Sequence, residues 1–392
     1  HANEDFKFPD LLNKHKRIFC DDFFNPDLKL PTPKGGFDFV IGNPPWIELK
    51  PSSKGEDYAR LWISEEKTIT GNRVGDAFAV KAGRLLSDNG VGGLLLPATT
   101  LFNLEGERFR QNFFTEFSVA RVTNLANLRN NLFGGRIKQP ATTIVFQKGS
   151  EKRHCQPILH VAPFAANQAA GNTDQLWALT IHGSDIQRVS QADAAKGEMS
   201  VWKLALWGTA RDARALDRIR QLYPLTLAGF CEKRGWGNKM PREGVQLRHR
   251  DDKEDVVYCE ELKGKNRFDT VTFNQIIKSD LHFSTPPKAL IPILDEQCYV
   301  RKRGGLGGLV VNRPHHLMIS AAWKNFLIYS DEYFAVPPRQ MGISCPSADA
   351  DLLRALAVYL GSSLVDYSLF FHVPEWGLYG TMSIVVQRAV RH

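Results

Sequence analysis

Phe37-Asp38-Phe39-Val40-Ile41-Gly42-Asn43-Pro44-Pro45-Trp46 is an apolar run that stops at an asparagine, two prolines and an aromatic. Phe37 to Ile41 has the length and the β-branched and aromatic content of a buried strand. Pro44 and Pro45 lack N–H groups and cannot continue a ladder. The tetrad Asn43 to Trp46 is therefore expected as a stiff loop at the strand's carboxyl end, the edge at which open parallel α/β sheets bind ligands.

Such a loop suits a planar amino group. Asn43 offers a side-chain carbonyl, and the Pro44 carbonyl is a second acceptor with no neighbouring N–H to compete. Two acceptors can take both amino hydrogens, draw the nitrogen lone pair out of conjugation and aim it at an electrophile, while Trp46 supplies a flat face for a base. An ordinary proline turn after a strand competes with this reading, so the surroundings must decide.

Those surroundings read as repeating α/β structure. Asp76 to Leu86 has Phe78, Ala79, Ala82, Leu85 and Leu86 on one helical face. Ser87-Asp88-Asn89-Gly90 is expected to stop that helix before a buried strand, Val91 to Leu96, which closes at Pro97-Ala98-Thr99-Thr100. Further strands are expected over Val119–Leu125 and Pro140–Lys148, with a polar loop from Asn127 to Lys138 between them. Upstream, Arg17 to Phe24 reads as a short strand ending in acidic residues. After Gly149 the composition shifts, and a domain boundary is expected. Beyond it come a basic amphipathic helix, Thr209–Leu222, with Ala213, Leu216, Ile219 and Leu222 inward, then short strands and loops, and an apolar helix at Leu352–Leu360.

The 392 residues are 43% hydrophobic, enough for two or three domains with cores. No stretch approaches the roughly 20 apolar residues of a membrane span, and no signal peptide opens the chain, so a cytoplasmic protein is expected. The six cysteines show no C-x-x-C spacing and are expected as free thiols, and no metal site is expected. A formal charge of +8 favours a polyanionic partner.

Asn43-Pro44-Pro45-Trp46 resembles the catalytic motif of amino-group DNA methyltransferases, specifically the N6-adenine enzymes of restriction-modification systems. The motif alone is shared with protein-glutamine and some RNA methyltransferases. The helix, glycine stop, strand and Pro-Ala-Thr turn from Gly75 onward follow the same family's pattern. The resemblance is clearest over 17–149 and looser over 200–392. It implies an α/β, doubly wound, Rossmann-like methyltransferase sheet whose N-terminal part is missing, over 1–155, a connecting segment over 156–200, and an α+β target-recognition domain over 201–392.

The resemblance also implies the site. Asn43, Pro44, Pro45 and Trp46 would be catalytic, and Phe146 would pack against an adenine flipped out of double-stranded DNA, since N6 is out of reach in a stacked pair. Asp22 and Phe23, with Asp21 as the alternative acid, would contact the adenine of S-adenosylmethionine. The family's glycine-rich cofactor loop has no match before Asp22, and Gly304-Gly305-Leu306-Gly307-Gly308 does not lead into a helix. The loop is therefore expected upstream of His1, and the 392 residues are expected to be inactive alone.

Three stretches are candidates for meeting DNA. They hold Arg234, Trp236 and Lys239; Arg301, Lys302 and Arg303; and Arg339. Arginine and lysine can neutralise phosphates or read base edges. Glu261-Leu262-Lys263 with Asp255 faintly resembles a nuclease set, and His315-His316 lacks a further metal ligand at suitable spacing. A nuclease, fused or separate, could lie outside these residues. The alternatives to a DNA methyltransferase are an RNA or protein-glutamine methyltransferase, or a DNA-binding or assembly module without catalysis.

Overall fold

The computed structural model describes residues 18–49, 58–66, 69, 72–135, 139–165, 179–237, 240–252, 255–278, 283–285, 288–302, 306–319, 327–373 and 378. The chain divides into two units, one running to Ala213 and resuming at Phe371, the other Arg214–Phe370. Among the described residues, no helix is long and apolar enough to cross a membrane.

The first unit is built on a mixed sheet. In chain order it holds β1 (Phe37–Gly42), α1 (Tyr58–Glu66), α2 (Val74–Arg84), β2 (Leu86–Pro97), α3 (Thr99–Phe102), α4 (Glu107–Glu116), β3 (Phe117–Asn124), β4 (Ala141–Lys148) and β5 (Ile158–Val161). The spatial order is β1-β2-β4-β3-β5 with Ile186–Val189 last. β1 runs parallel to β2, and β3 to β5, whereas β4 lies antiparallel between β2 and β3. The sheet therefore takes in two strands, Ile158–Val161 and Ile186–Val189, that lie past residue 155.

One face of this sheet is packed with aromatics. Thr142, Ile144 and Phe146 alternate along β4 and are all buried, as a period of two requires when one face meets the core. Phe146 meets Phe113 and Phe117 with ring centroids 5.1 and 5.5 Å apart. Gly92 on β2 is what makes room for it, because a Cβ there would stand 2.5 Å from the Phe146 ring.

Three local expectations are corrected. β1 pairs with β2 alone among the described strands, and instead of being buried it leaves Phe39 and Ile41 74% and 82% exposed. The stretch 18–24 is irregular rather than a strand, turning through a hydrogen bond from Asn25 N–H to the Asp22 carbonyl. The glycine stop is absorbed into β2, whose pairing with β1 jumps from Phe37–Leu86 to Phe39–Val91, so residues 87–90 bulge out instead of separating helix from strand.

The second unit is a set of small sheets. Leu327–Ser330, His316–Ile319, Met341–Ser344 and Arg242–Glu243 form one, and Leu290–Pro292, Asn266–Phe268 and Phe334–Ala335 another. Helix Ala350–Leu360 packs Leu353 and Ala357 into the larger core beside Leu317, Ile328 and Ile343. The helix Ala210–Leu222 buries only Leu216, and Leu222, expected inward, is 57% exposed.

Candidate active site and nucleic-acid interface

Asn43 to Trp46 leave β1 at its carboxyl end, with Asn43 exposed, Pro44 buried and Trp46 half-buried. The Trp46 indole N–H donates to the Leu95 carbonyl at 3.3 Å, which fixes the plane of the ring. Phe133 stands edge-on to it, with centroids 5.8 Å apart and planes at 85°. Phe133 is 40% exposed and has a φ of 55°. A bulky residue in the left-handed region points to a functional constraint.

The loop is tied to the start of α2. Val74 N–H donates to the Ile47 carbonyl, and Leu49 N–H to the Asn72 carbonyl. Between these bonds, Arg73 meets the Glu48 carboxylate at 3.1 Å and also donates to the Thr99 carbonyl. Rigidity at the loop's exit follows, which an oriented pair of acceptors needs. Beside Trp46 lies a pocket of about 270 Å³, walled by Pro97 and Gly75 and edged by Glu48, Arg73, Asp76 and Gln139.

Asp76 is 1% exposed, and its Oδ1 accepts the Thr100 hydroxyl at 3.0 Å. Burial raises its pKa from 3.8 to about 6, against the opposing pull of Arg73 and Arg110. Arg110 is itself buried, donates to the carbonyls of Gly197, Thr100 and Asn103, and has its pKa lowered to about 10 by burial. Because the folded state holds the Asp76 proton more tightly than the unfolded state, stability falls as pH rises from about 4 to 6. Asp76→Asn should therefore stabilise the protein at pH 8 by about 1 to 3 kcal/mol and bring no gain at pH 4. Denaturant midpoints at the two pH values test this, and an equal effect at both would remove the buried charge as the cause.

Residues 3–133 match the family model of the Eco57I restriction-modification methylase. No curated protein matches the chain. Among solved structures it is similar to the methyltransferase subunit of a type I restriction-modification system from Streptococcus thermophilus, with 19% identity over 45% of this chain and 33% of that one and a TM-score of 0.29. It is also similar to a modification subunit of a putative type I restriction enzyme from Vibrio vulnificus (14% identity, 33% of this chain, 26% of that one, TM-score 0.26). The DrdV–DNA complex gives 11% identity over 88% of this chain and 42% of that one, with a TM-score of 0.44. The chain thus spans about a third or less of the length of the first two.

Within the stretch that matches the family model, Asp22 is exposed and its Oδ1 accepts the Phe24 N–H at 2.8 Å. Phe23 is half-buried and stacked on Phe78 at 4.6 Å, and its carbonyl accepts from Lys81 Nζ at 2.6 Å. An acceptor beside a ring is thus present at 22–23. Phe146 is corrected. It packs in the core against Gly92, Phe113 and Phe117 and is not among the residues around the pocket beside Trp46. The aromatic that stands with Trp46 is Phe133, whose signal in the sequence was a phenylalanine followed by Gly134-Gly135 in the polar loop.

The basic loops of the second unit divide. Trp236 is corrected as a DNA contact, since it is buried and its indole N–H donates to Asp349 at 2.7 Å. Arg234 grips the other oxygen of that carboxylate at 2.6 Å. Arg301, Lys302 and Arg339 are exposed, and Lys302 lies 3.8 Å from Asp255. Lys239 and Arg303 lie outside the described residues. Glu261 is held by two bonds from Arg313, each 3.0 Å, which gives that carboxylate a structural use. His316 is buried with its ring nitrogens facing the carbonyls of Val311 and Glu332. Among the described residues, no group of His, Cys, Asp or Glu is placed to hold a metal ion.

Proposed function

We propose that the protein is a site-specific DNA methyltransferase of a restriction-modification or phage-defence system, transferring a methyl group from S-adenosylmethionine to adenine N6. The observation that carries this is the Asn43–Trp46 loop at the carboxyl end of β1 with Phe133 edge-on to Trp46. Asn43 Oδ1 and the Pro44 carbonyl accept the two amino hydrogens, which leaves the nitrogen lone pair to face the donor. Trp46 stacks on the flipped base and Phe133 closes its edge, offsetting part of the cost of unstacking.

S-adenosylmethionine supplies the electrophilic methyl group, so the protein needs no nucleophile of its own. Asp22 and Phe23 fit its adenine end, the carboxylate accepting from an amino group and the ring packing on a base. The second unit, with Arg301, Lys302 and Arg339 outward, is assigned target recognition.

Sequencing that detects modified bases, applied to DNA from cells expressing the full-length gene, should show N6-methyladenine at one recurring sequence. Methylation on cytosine, or none, would overturn the reading. Phe133→Ala should lower turnover about 2-fold to 10-fold through the loss of one edge-on aromatic contact of roughly 0.5 to 1.5 kcal/mol. Phe146→Ala should instead cost about 3 to 5 kcal/mol of stability, as for other buried phenylalanines. A normal melting temperature for the second variant would show that Phe146 does not hold this core together.

A further inference from the structure

Asp76 is a buried titratable group that the chemistry above leaves without a task. Its Oδ1 is used by Thr100, but Oδ2 is buried with no hydrogen-bond partner. Asp76 is one of the residues around the pocket that lies beside Trp46, Pro97 and Gln139. Buried polar atoms are seldom left unmatched, and those that are call for a ligand or a water. The pocket's volume of about 270 Å³ falls below the roughly 300–1,000 Å³ of drug-sized sites, so it suits one base rather than a dinucleotide.

Resting on the proposed function, we propose that Asp76 binds the flipped base at the ring nitrogen next to its amino-bearing carbon, N1 in adenine. Asn43 and the Pro44 carbonyl hold the adjoining amino group. A bare ring nitrogen only accepts, so its partner must donate, which a neutral carboxyl does through Oδ2–H while Oδ1 still accepts from Thr100. The charged groups around Asp76 are Arg73 just before α2, Glu48 on the loop after β1, and Arg110 on α4. Burial outweighs both guanidinium groups, so the proton is taken up near pH 6, and a base that seals the pocket raises that value further.

The test is ligand-observed NMR titration of the full chain with adenosine, cytidine and 1-deazaadenosine at pH 6 and pH 8. Wild type should bind adenosine about tenfold or more tightly at pH 6 than at pH 8, following the protonated fraction of Asp76. Asp76→Asn, whose amide donates at every pH, should bind adenosine with no such dependence and at least as well as wild type at pH 8. The 1-deaza analogue, which lacks N1, should bind weakly and without pH dependence. Cytidine carries the same ring nitrogen beside an amino group, so cytidine bound in place of adenosine would keep the role of Asp76 while moving the proposed reaction to cytosine. Equal binding of adenosine by wild type and Asp76→Asn at both pH values, or equal binding of adenosine and its 1-deaza analogue, would show that Oδ2 meets only a water. Failure of wild type to bind either nucleoside would also overturn the proposal, leaving the sequencing experiment to judge the methyltransferase reading.

Discussion

Asn43→Ala in the full-length protein should cut methyl transfer about 10²-fold to 10³-fold while DNA affinity stays within a factor of two or so, the cost reported for losing one oriented polar group of this kind. Asn43 is exposed at the end of β1, so its removal leaves no cavity in the core. Its amide oxygen matters most when the amino nitrogen takes on positive charge, which happens in the transition state and hardly at all in the bound ground state. The Pro44 carbonyl remains in Asn43→Ala, which is why some activity should survive. Single-turnover rates and gel-shift affinities on the same duplex separate the two effects. Unchanged turnover would refute the role, and a parallel loss of DNA binding would make Asn43 a contact rather than an acceptor.

The pattern of β1, α2, β2 and β4 was legible because each is set by local signals. These were an apolar run stopped by prolines, a helical face and an alternating strand. What lay beyond the sequence was set by neighbours. Phe39 and Ile41 look like core residues, yet their exposure follows from β1 having β2 as its sole partner among the described strands, which periodicity does not reveal. Phe146 was taken for a site residue although it alternates with the buried Thr142 and Ile144. That alternation was the available signal for core. Trp236 shows the same limit from the other side, because its partner Asp349 is distant in sequence and no local cue marks the bond. Asp76 was read as a helix start, and nothing short of the folded packing of Thr100, Arg73 and Arg110 around it would have set it apart.

Arg339 differs from the other exposed cations because its backbone is constrained. It has a φ of 64°, and its N–H donates to the Glu243 carboxylate at 2.8 Å. The left-handed region costs a non-glycine residue about 1 kcal/mol or more, a strain that persists only where surrounding contacts impose it and that clusters at functional positions. A pre-set side chain of this kind suits bidentate reading of a base edge. Arg339→Ala should therefore weaken binding of the full-length protein at its cognate site by roughly 1 to 3 kcal/mol, about 5-fold to 150-fold, and barely alter binding to random duplex. Arg301 and Lys302 belong to the other category. Lys302 and Asp255 are both largely exposed, and an ion pair in that setting is too weak to keep the lysine from a phosphate. Replacing Arg301 and Lys302 together by alanine should weaken binding to every sequence and flatten the dependence of log affinity on log salt by up to about two units, near 0.9 for each phosphate released. Equal losses for Arg339→Ala at cognate and random sites would assign that arginine to the backbone. No loss from either variant would place the DNA on a different face of this unit, because neither loop would then lie along its path.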